Sequence, residues 1–335
     1  MPRLTPSAPH SKRPSARWRA LAVALLAGAL SLSVAAAPGQ KSRAKKATPA
    51  RVAAAPEGIS YASRADMLAF AADVAARRDL DPEWTRQVLT QARLLPVVQR
   101  LVLPPASPAS KDWNAYRARF VEPVRIRAGV AFWQAHEATL ARAEAEFGVP
   151  AEIIVGIIGV ETLYGRQMGN FRVIDALATL ALDFPAAHPR AEARQAFFRG
   201  ELEQLLTLAR RTGIDPLSLR GSYAGAMGLG QFMPSSWVRH AIDFDGDGRV
   251  DLFGSPADAI GSVANYFIAH EWKPGLPTHF PVRLATDAQM DTLLAPDILP
   301  SFGVERFTAL GARLEGEALA HPGPLALVEL LNGGA

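Results

Sequence analysis

Between residues 59 and 272 the apolar positions recur mainly at three- and four-residue spacing, the period of a helix that buries one face. Met67, Phe70 and Val74 begin the pattern, and Phe132, Ala135, Leu140, Ala143 and Phe147 continue it beyond the proline-rich stretch 104–108. Helical segments are therefore expected over 61–103 and 112–147, divided by the prolines. Pro150 opens a further helix where a missing N–H costs nothing, with Glu152 well placed against the helix dipole, and the pattern runs to about Tyr164. Residues 177–182 and 197–211 are again helix-like, while alternating strand patterns bounded by turns are scarce before residue 275. The fold class is mainly α, and no repeat of solenoid length is present.

The helix after Pro150 presents Ile153, Ile154, Val155, Gly156, Ile157, Ile158, Gly159 and Val160 in succession. A helix apolar on every side is expected to be buried on every side. Glu161 follows directly. A carboxyl there reaches solvent, pairs with a base such as Arg166, caps the helix end, or stays protonated because apolar surroundings disfavour its charged form. In the last case it is a general acid, since a hydrophobic pocket can raise a glutamate to about 6 and suit it to protonating a glycosidic oxygen. Glu161 by itself does not choose among these.

Residues 221–236 set Gly221, Gly225, Gly228 and Gly230 among Ser222, Tyr223, Gln231 and Phe232. Such a backbone permits close approach of a ligand, with tight packing as the alternative. A phosphate loop is disfavoured, because no strand precedes the segment and no Gly-Lys-Ser/Thr ends it. A little further on, Asp243, Asp245, Asp247, Gly248, Arg249 and Asp251 take positions 1, 3, 5, 6, 7 and 9 of a calcium-type loop, where Arg249 would offer its carbonyl. Position 12, usually a bidentate glutamate, is Gly254, so the strict pattern fails; a solvated acidic turn is the alternative.

Charge and composition change the picture at the ends of the chain. Residues 1–55 carry ten Lys or Arg and no Asp or Glu, so the net charge of +4 hides a remainder with 26 bases against 32 acids. That remainder is acidic, and nucleic-acid binding by a basic face is disfavoured. Basic residues followed by the apolar run 20–37, ending in Ala35, Ala36 and Ala37, read as a signal peptide over 1–37, with an uncleaved anchor as the alternative. Residues 38–58, mostly Ala, Lys, Arg, Pro and Gly, read as a flexible tether. There is no cysteine, which excludes both disulfides and a lipidated cysteine after the leader. An exported, periplasmic protein without a membrane span after cleavage is expected.

Three ordered motifs then carry a specific likeness. Glu161-Thr162-Leu163-Tyr164-Gly165, the run 224–236, and the segment 258–267 that begins Asp258-Ala259-Ile260-Gly261 and ends Tyr266-Phe267 together resemble the lytic murein transglycosylase B family. The likeness spans about residues 60–275. It implies a lysozyme-like helical catalytic core over 148–275, with an N-terminal helical region over 59–147 and a calcium-type loop over 243–258. It implies that Glu161 is the sole acid/base in cleaving peptidoglycan between N-acetylmuramic acid and N-acetylglucosamine, leaving a 1,6-anhydro end. Ser222, Gln231, Tyr116, Arg194 and Tyr266 are implied to line the glycan groove, and Asp258 to close the ion site with Asp243, Asp245, Asp247, Arg249 and Asp251. Calcium is expected as a structural ion and no organic cofactor. Peptidoglycan strands are the expected partner of a monomer, with other cell-wall enzymes as further candidates. A hydrolytic muramidase and a non-catalytic wall-binding protein are the rival readings. Relatives continue beyond the point where this chain stops, so the segment 276–335 reads as incomplete.

Overall fold

The computed structural model describes residues 59–104 and 112–331; the expected signal peptide and tether lie outside the described residues. Three helices open the fold, α1 (Ala65–Arg78), α2 (Pro82–Leu89) and α3 (Pro96–Val102). The strand pair β1 (Ile59–Ser60) and β2 (Arg93–Leu94) joins them, antiparallel with Ile59 opposite Leu94. Then come α4 (Trp113–Phe120), α5 (Pro123–Phe147), α6 (Ala151–Thr162), β3 (Phe171–Arg172), α7 (Val173–Leu182), α8 (Ala191–Thr212), β4 (Arg220–Gly221), α9 (Pro234–His240) and α10 (Pro256–Ala269). The strands before residue 275 are two-residue pairs only, which is why no alternating pattern announces them.

α7 is the axis of the core. Every one of its residues is buried, and α8, α3 and β2 pack against it. Its Asp175 is tolerated inside because the Arg93 N–H donates to it at 2.9 Å and the Arg172 guanidinium pairs with it at 2.6 Å. Thr179 accepts from the Leu95 N–H at 2.9 Å and thereby anchors the strand region to the same helix.

One hydrophobic core runs from Tyr61 through Leu177 to Ala264, so the opening helices and the central ones share it. Residues 279–329 form a second compact unit. Its β5 (Val282–Leu284) and β6 (Ala312–Leu314) pair antiparallel, with α11 (Met290–Leu294), α12 (Val304–Ala309) and a 3-10 turn over Gly316–Ala320. It has a core of its own around Leu293, Phe307, Leu310 and Leu327.

Candidate active site

α6 packs against α5 and α10 and buries Ala151, Ile154, Val155, Ile158, Gly159 and Thr162. It is not buried on every side. Ile153, Ile157 and Val160 are half-buried and Gly156 is exposed, so an apolar row along the helix stays partly open beside Glu161. Hydrophobicity alone does not distinguish a core face from the floor of a groove.

The helix ends in three successive left-handed residues, Leu163 (φ 49°), Tyr164 (φ 57°) and Gly165 (φ 85°). Two of these carry side chains, a conformation that persists only where its surroundings enforce it. Thr162, fully buried, supplies part of that enforcement. Its hydroxyl donates to the Leu229 carbonyl at 2.8 Å and accepts from the Gly165 N–H at 3.0 Å. The Tyr164 ring, 5.2 Å from Phe132, carries its hydroxyl against the bare backbone of Gly129 and Gly159, where a Cβ would collide with it.

Glu161 sits on this fixed turn, half-buried. No hydrogen bond or ion pair reaches its carboxyl among the described residues, and Arg166 does not pair with it. Burial alone pushes its pKa up from an ordinary 4.5 to about 7. Of the alternatives open to it, the structure favours the protonated acid.

The glycine-rich run folds as a tight hairpin. Met227 and Phe232 exchange N–H···O bonds of 2.9 and 2.8 Å around a turn in which Gly228 (φ 71°) and Gln231 (φ 52°) are left-handed. A Cβ on Gly228 would lie 2.5 Å from the Leu252 carbonyl, so glycine is required there. Gln231 is buried, and its amide donates to the Gly228 and Met168 carbonyls at 3.0 and 3.3 Å, leaving its oxygen for a ligand. Ser222 accepts from the N–H groups of Ala224 and Ala226 at 3.3 and 3.0 Å and keeps its own proton to donate.

The other residues implied by the resemblance gather around that loop, with one on a separate support. Tyr266 on α10 stands edge to face with Phe232 at 5.7 Å and is stacked by His270 at 4.0 Å. Arg194 on α8 lies over Phe198 and interacts with Tyr223, the neighbour of Ser222; it is half-buried and not on a solvated face. Tyr116 is exposed on α4, between Trp113 at 5.8 Å and Phe120 at 4.8 Å. Its link to Glu161 runs through Arg125, whose guanidinium lies over Phe120 and bonds the Gly159 carbonyl.

In the acidic loop, carboxylate oxygens of Asp243, Asp245 and Asp258 come within 4.8 Å of one another. Asp258 is buried and accepts from the N–H groups of Phe244 and Asp251 at 2.8 and 2.7 Å. Asp247 accepts from the Arg249 N–H, and Asp251 from those of Phe253 and Gly254; both shape the loop, and neither belongs to the three-carboxylate cluster.

Glu201 on α8, 4% exposed, is a buried acid that the sequence reading does not single out. It lies three residues after Phe198 and four before Leu205, on the buried side of its helix. An acid at that phase of an amphipathic pattern is the signal that would have flagged it.

A mainly helical core bearing a raised and unpaired glutamic acid at a helix end, faced by a glycine-rich hairpin, defines the lysozyme-like class. Residues 62–330 match the family described as Transglycosylase SLT domain. The chain belongs to that family. It is 44% identical over 248 residues to membrane-bound lytic murein transglycosylase B of Escherichia coli (strain K12), a match covering 68% of this chain and 66% of that protein, just under two thirds of the curated relative. Among solved structures, the catenated lytic transglycosylase SltB1 of Pseudomonas aeruginosa is 40% identical with a TM-score of 0.72, covering 80% of this chain and 84% of that one. Escherichia coli lytic transglycosylase Slt35 in complex with calcium is 39% identical with a TM-score of 0.67, covering 82% of each chain. The family resemblance and the lysozyme-like helical fold expected from the three motifs are borne out.

Proposed function

We propose that this protein is a peptidoglycan lytic transglycosylase in which Glu161 is the only acid/base. The observation that carries the reading is the state of that carboxyl: raised to about 7 by burial and free of any pairing base among the described residues. Glu161 protonates the bridging oxygen between N-acetylmuramic acid and N-acetylglucosamine, and the C1–O bond breaks through an oxocarbenium-like state. The resulting carboxylate takes the proton of the muramyl 6-hydroxyl, whose oxygen closes on C1. Proton and bond count balance with no water consumed, so the product is a 1,6-anhydro end.

Ser222, Gln231, Arg194 and Tyr266, connected through the 221–236 loop, and Tyr116 on α4 bind the glycan. Hydroxyl, amide and guanidinium groups meet sugar oxygens, while the tyrosine faces meet its C–H surfaces. The partly open row of Ile153, Gly156, Ile157 and Val160 is the floor of that groove.

Asp243, Asp245 and Asp258 suit a hard cation, which would draw three like charges together with oxygen ligands alone. The Arg249 carbonyl and the carboxylates of Asp247 and Asp251 are the remaining donors implied for it. Calcium there would brace the loop between α9 and α10 and take no part in proton transfer. The substrate locates the protein in the cell envelope, in the periplasm. No helix among the described residues is long and apolar enough to cross a membrane.

The test is incubation of the protein and of Glu161→Gln with purified peptidoglycan, followed by mass spectrometry of the released fragments. Products one water lighter than the reducing sugars from the parent, and none from the variant, are expected. Equal release by both overturns the role of Glu161. Products carrying the added water identify a muramidase instead.

A further inference from the structure

We propose that Glu201 is a positioning residue for Glu161, acting through Ser235 to hold the hairpin that braces the end of α6. The inference rests on the reading of Glu161 as the acid/base.

The chain of contacts is continuous. The two carboxyl oxygens of Glu201 accept from the Ser235 N–H at 2.9 Å and from its hydroxyl at 2.7 Å. Ser235 lies in the first turn of α9, directly after the hairpin and Met233-Pro234. Its Oγ also accepts from the Arg239 guanidinium at 3.1 Å. Both ends of the link are buried, Glu201 4% and Ser235 7% exposed, so neither group has water as an easy replacement. From Ser235 the main chain leads back three residues to Phe232 and its paired Met227, and within that hairpin to Leu229, whose carbonyl holds Thr162 beside Glu161.

The placement of an acid here is costly and specific. Burial pushes the Glu201 carboxyl up, and the two Ser235 donors draw it back. A carboxylate with both oxygens directed at one residue fixes the start of α9 in distance and in rotation, which one hydrogen bond would not. A shift of that start moves the hairpin, the Leu229 carbonyl and the turn that aims Glu161. Displacement of a reacting group by about 1 Å from afar can cost on the order of a hundredfold in rate.

Glu203, two residues on, is the natural control. It is also buried, at 7% exposed, but it pairs with Arg77 and Arg78 of α1 at 2.7 and 3.0 Å, and among the described residues no hydrogen bond or ion pair joins its carboxylate to the hairpin. The experiment compares Glu201→Ala, Glu201→Gln, Ser235→Ala and Glu203→Ala for melting temperature, for kcat and KM of anhydro-product release from peptidoglycan, and for amide exchange at Met227 and Phe232.

A positioning role predicts that Glu201→Ala and Ser235→Ala lower kcat about tenfold at temperatures where each is fully folded, with KM changed less than kcat. Glu201→Gln, which keeps one acceptor for the Ser235 N–H, recovers part of the loss. Glu203→Ala loses thermal stability and keeps its kcat. Exchange at Met227 and Phe232 quickens in the first two variants and not in the control. Unchanged kcat in folded Ser235→Ala and Glu201→Gln, with unchanged exchange, overturns the proposal, even where Glu201→Ala fails to fold. If the parent releases no anhydro products, the reading of Glu161 fails instead, and the exchange comparison alone decides whether Glu201 holds the hairpin.

Discussion

Thr162 and Leu229 are joined by a hydroxyl-to-carbonyl bond of 2.8 Å, 67 residues apart in the chain and fully inside the core at the Thr162 end. This bond connects the turn that carries Glu161 to the glycine-rich hairpin. It explains how two left-handed, side-chain-bearing residues, Leu163 and Tyr164, persist next to the acid.

Thr162→Val tests that brace. The substitution keeps the shape and removes the hydroxyl, so the Leu229 carbonyl loses a donor and the Gly165 N–H loses its acceptor. A loss of about 1–3 kcal/mol is expected from unsatisfied buried groups. Thermal unfolding should show a melting temperature lower by several degrees, and anhydro-product release should slow about tenfold in the folded protein. A variant as stable and as fast as the parent would remove Thr162 from the account.

The Glu161 carboxyl has a sign that stability measurements can read. Its pKa is about 7 in the fold against an ordinary 4.5, so between those values the folded protein holds a proton that the unfolded chain has released. Stability therefore falls as pH rises through that window and levels off above about 7. Ionising the buried group opposes folding by about 1–3 kcal/mol at alkaline pH. Glu161→Gln should lack this slope and melt higher than the parent there. Activity should fall on the alkaline side of the same value, because the acid has lost its proton before substrate arrives. Melting curves that rise across the window in the parent would contradict the assignment.

Much of this was legible in the chain. Helical periodicity marks α1, α5 and α8, and an acid directly after the apolar run 153–160 marks Glu161. What was not legible has physical reasons. Pattern alone does not show that α5 breaks its helical geometry at His136, since the hydrophobic spacing continues across it. α4 buries no residue, so the helical run expected over 112–147 does not show where α4 ends and α5 begins. The two-residue strands depend on partners distant in sequence, as Phe171 opposite Gly221 shows. In the acidic loop, side-chain type places Asp247 and Asp251 beside Asp243 and Asp245, whereas the fold gathers Asp243 and Asp245 with Asp258, which comes from the first turn of α10.

Two glycines should respond oppositely to the same methyl group. Gly228→Ala combines a left-handed backbone with a Cβ 2.5 Å from the Leu252 carbonyl, and should destabilise by roughly 1–3 kcal/mol. Gly156→Ala lies inside α6, where nothing stands within 4 Å of the new Cβ, and should stabilise by roughly 0.5–1 kcal/mol. Because Gly156 is exposed on the open row, the methyl group also narrows the proposed groove floor, so KM for glycan should rise while the melting temperature rises. A gain in stability with unchanged KM would show that the row does not touch substrate.

Calcium should act on stability and leave the chemistry alone. The carboxylates of Asp243, Asp245 and Asp258 gather within 4.8 Å, and Asp245 is a like charge that helps raise Asp258 after burial has done so. A bound dication relieves this repulsion only in the folded state, so the melting temperature should climb with calcium concentration and fall with a chelator. At a free concentration about a hundred times the dissociation constant the gain is roughly 2.7 kcal/mol. Asp243→Asn should weaken the calcium-dependent shift while leaving the metal-free melting temperature nearly unchanged, since its backbone donors are the N–H groups of Gly246, Asp247 and Gly248 at the loop tip, away from the core. Asp258→Asn should lower both, because the same carboxylate also organises Phe244 and Asp251. Rates measured well below the melting temperature should be equal with and without the ion. A rate that vanishes on chelation while the fold remains intact would place the cation in the reaction and not in the scaffold.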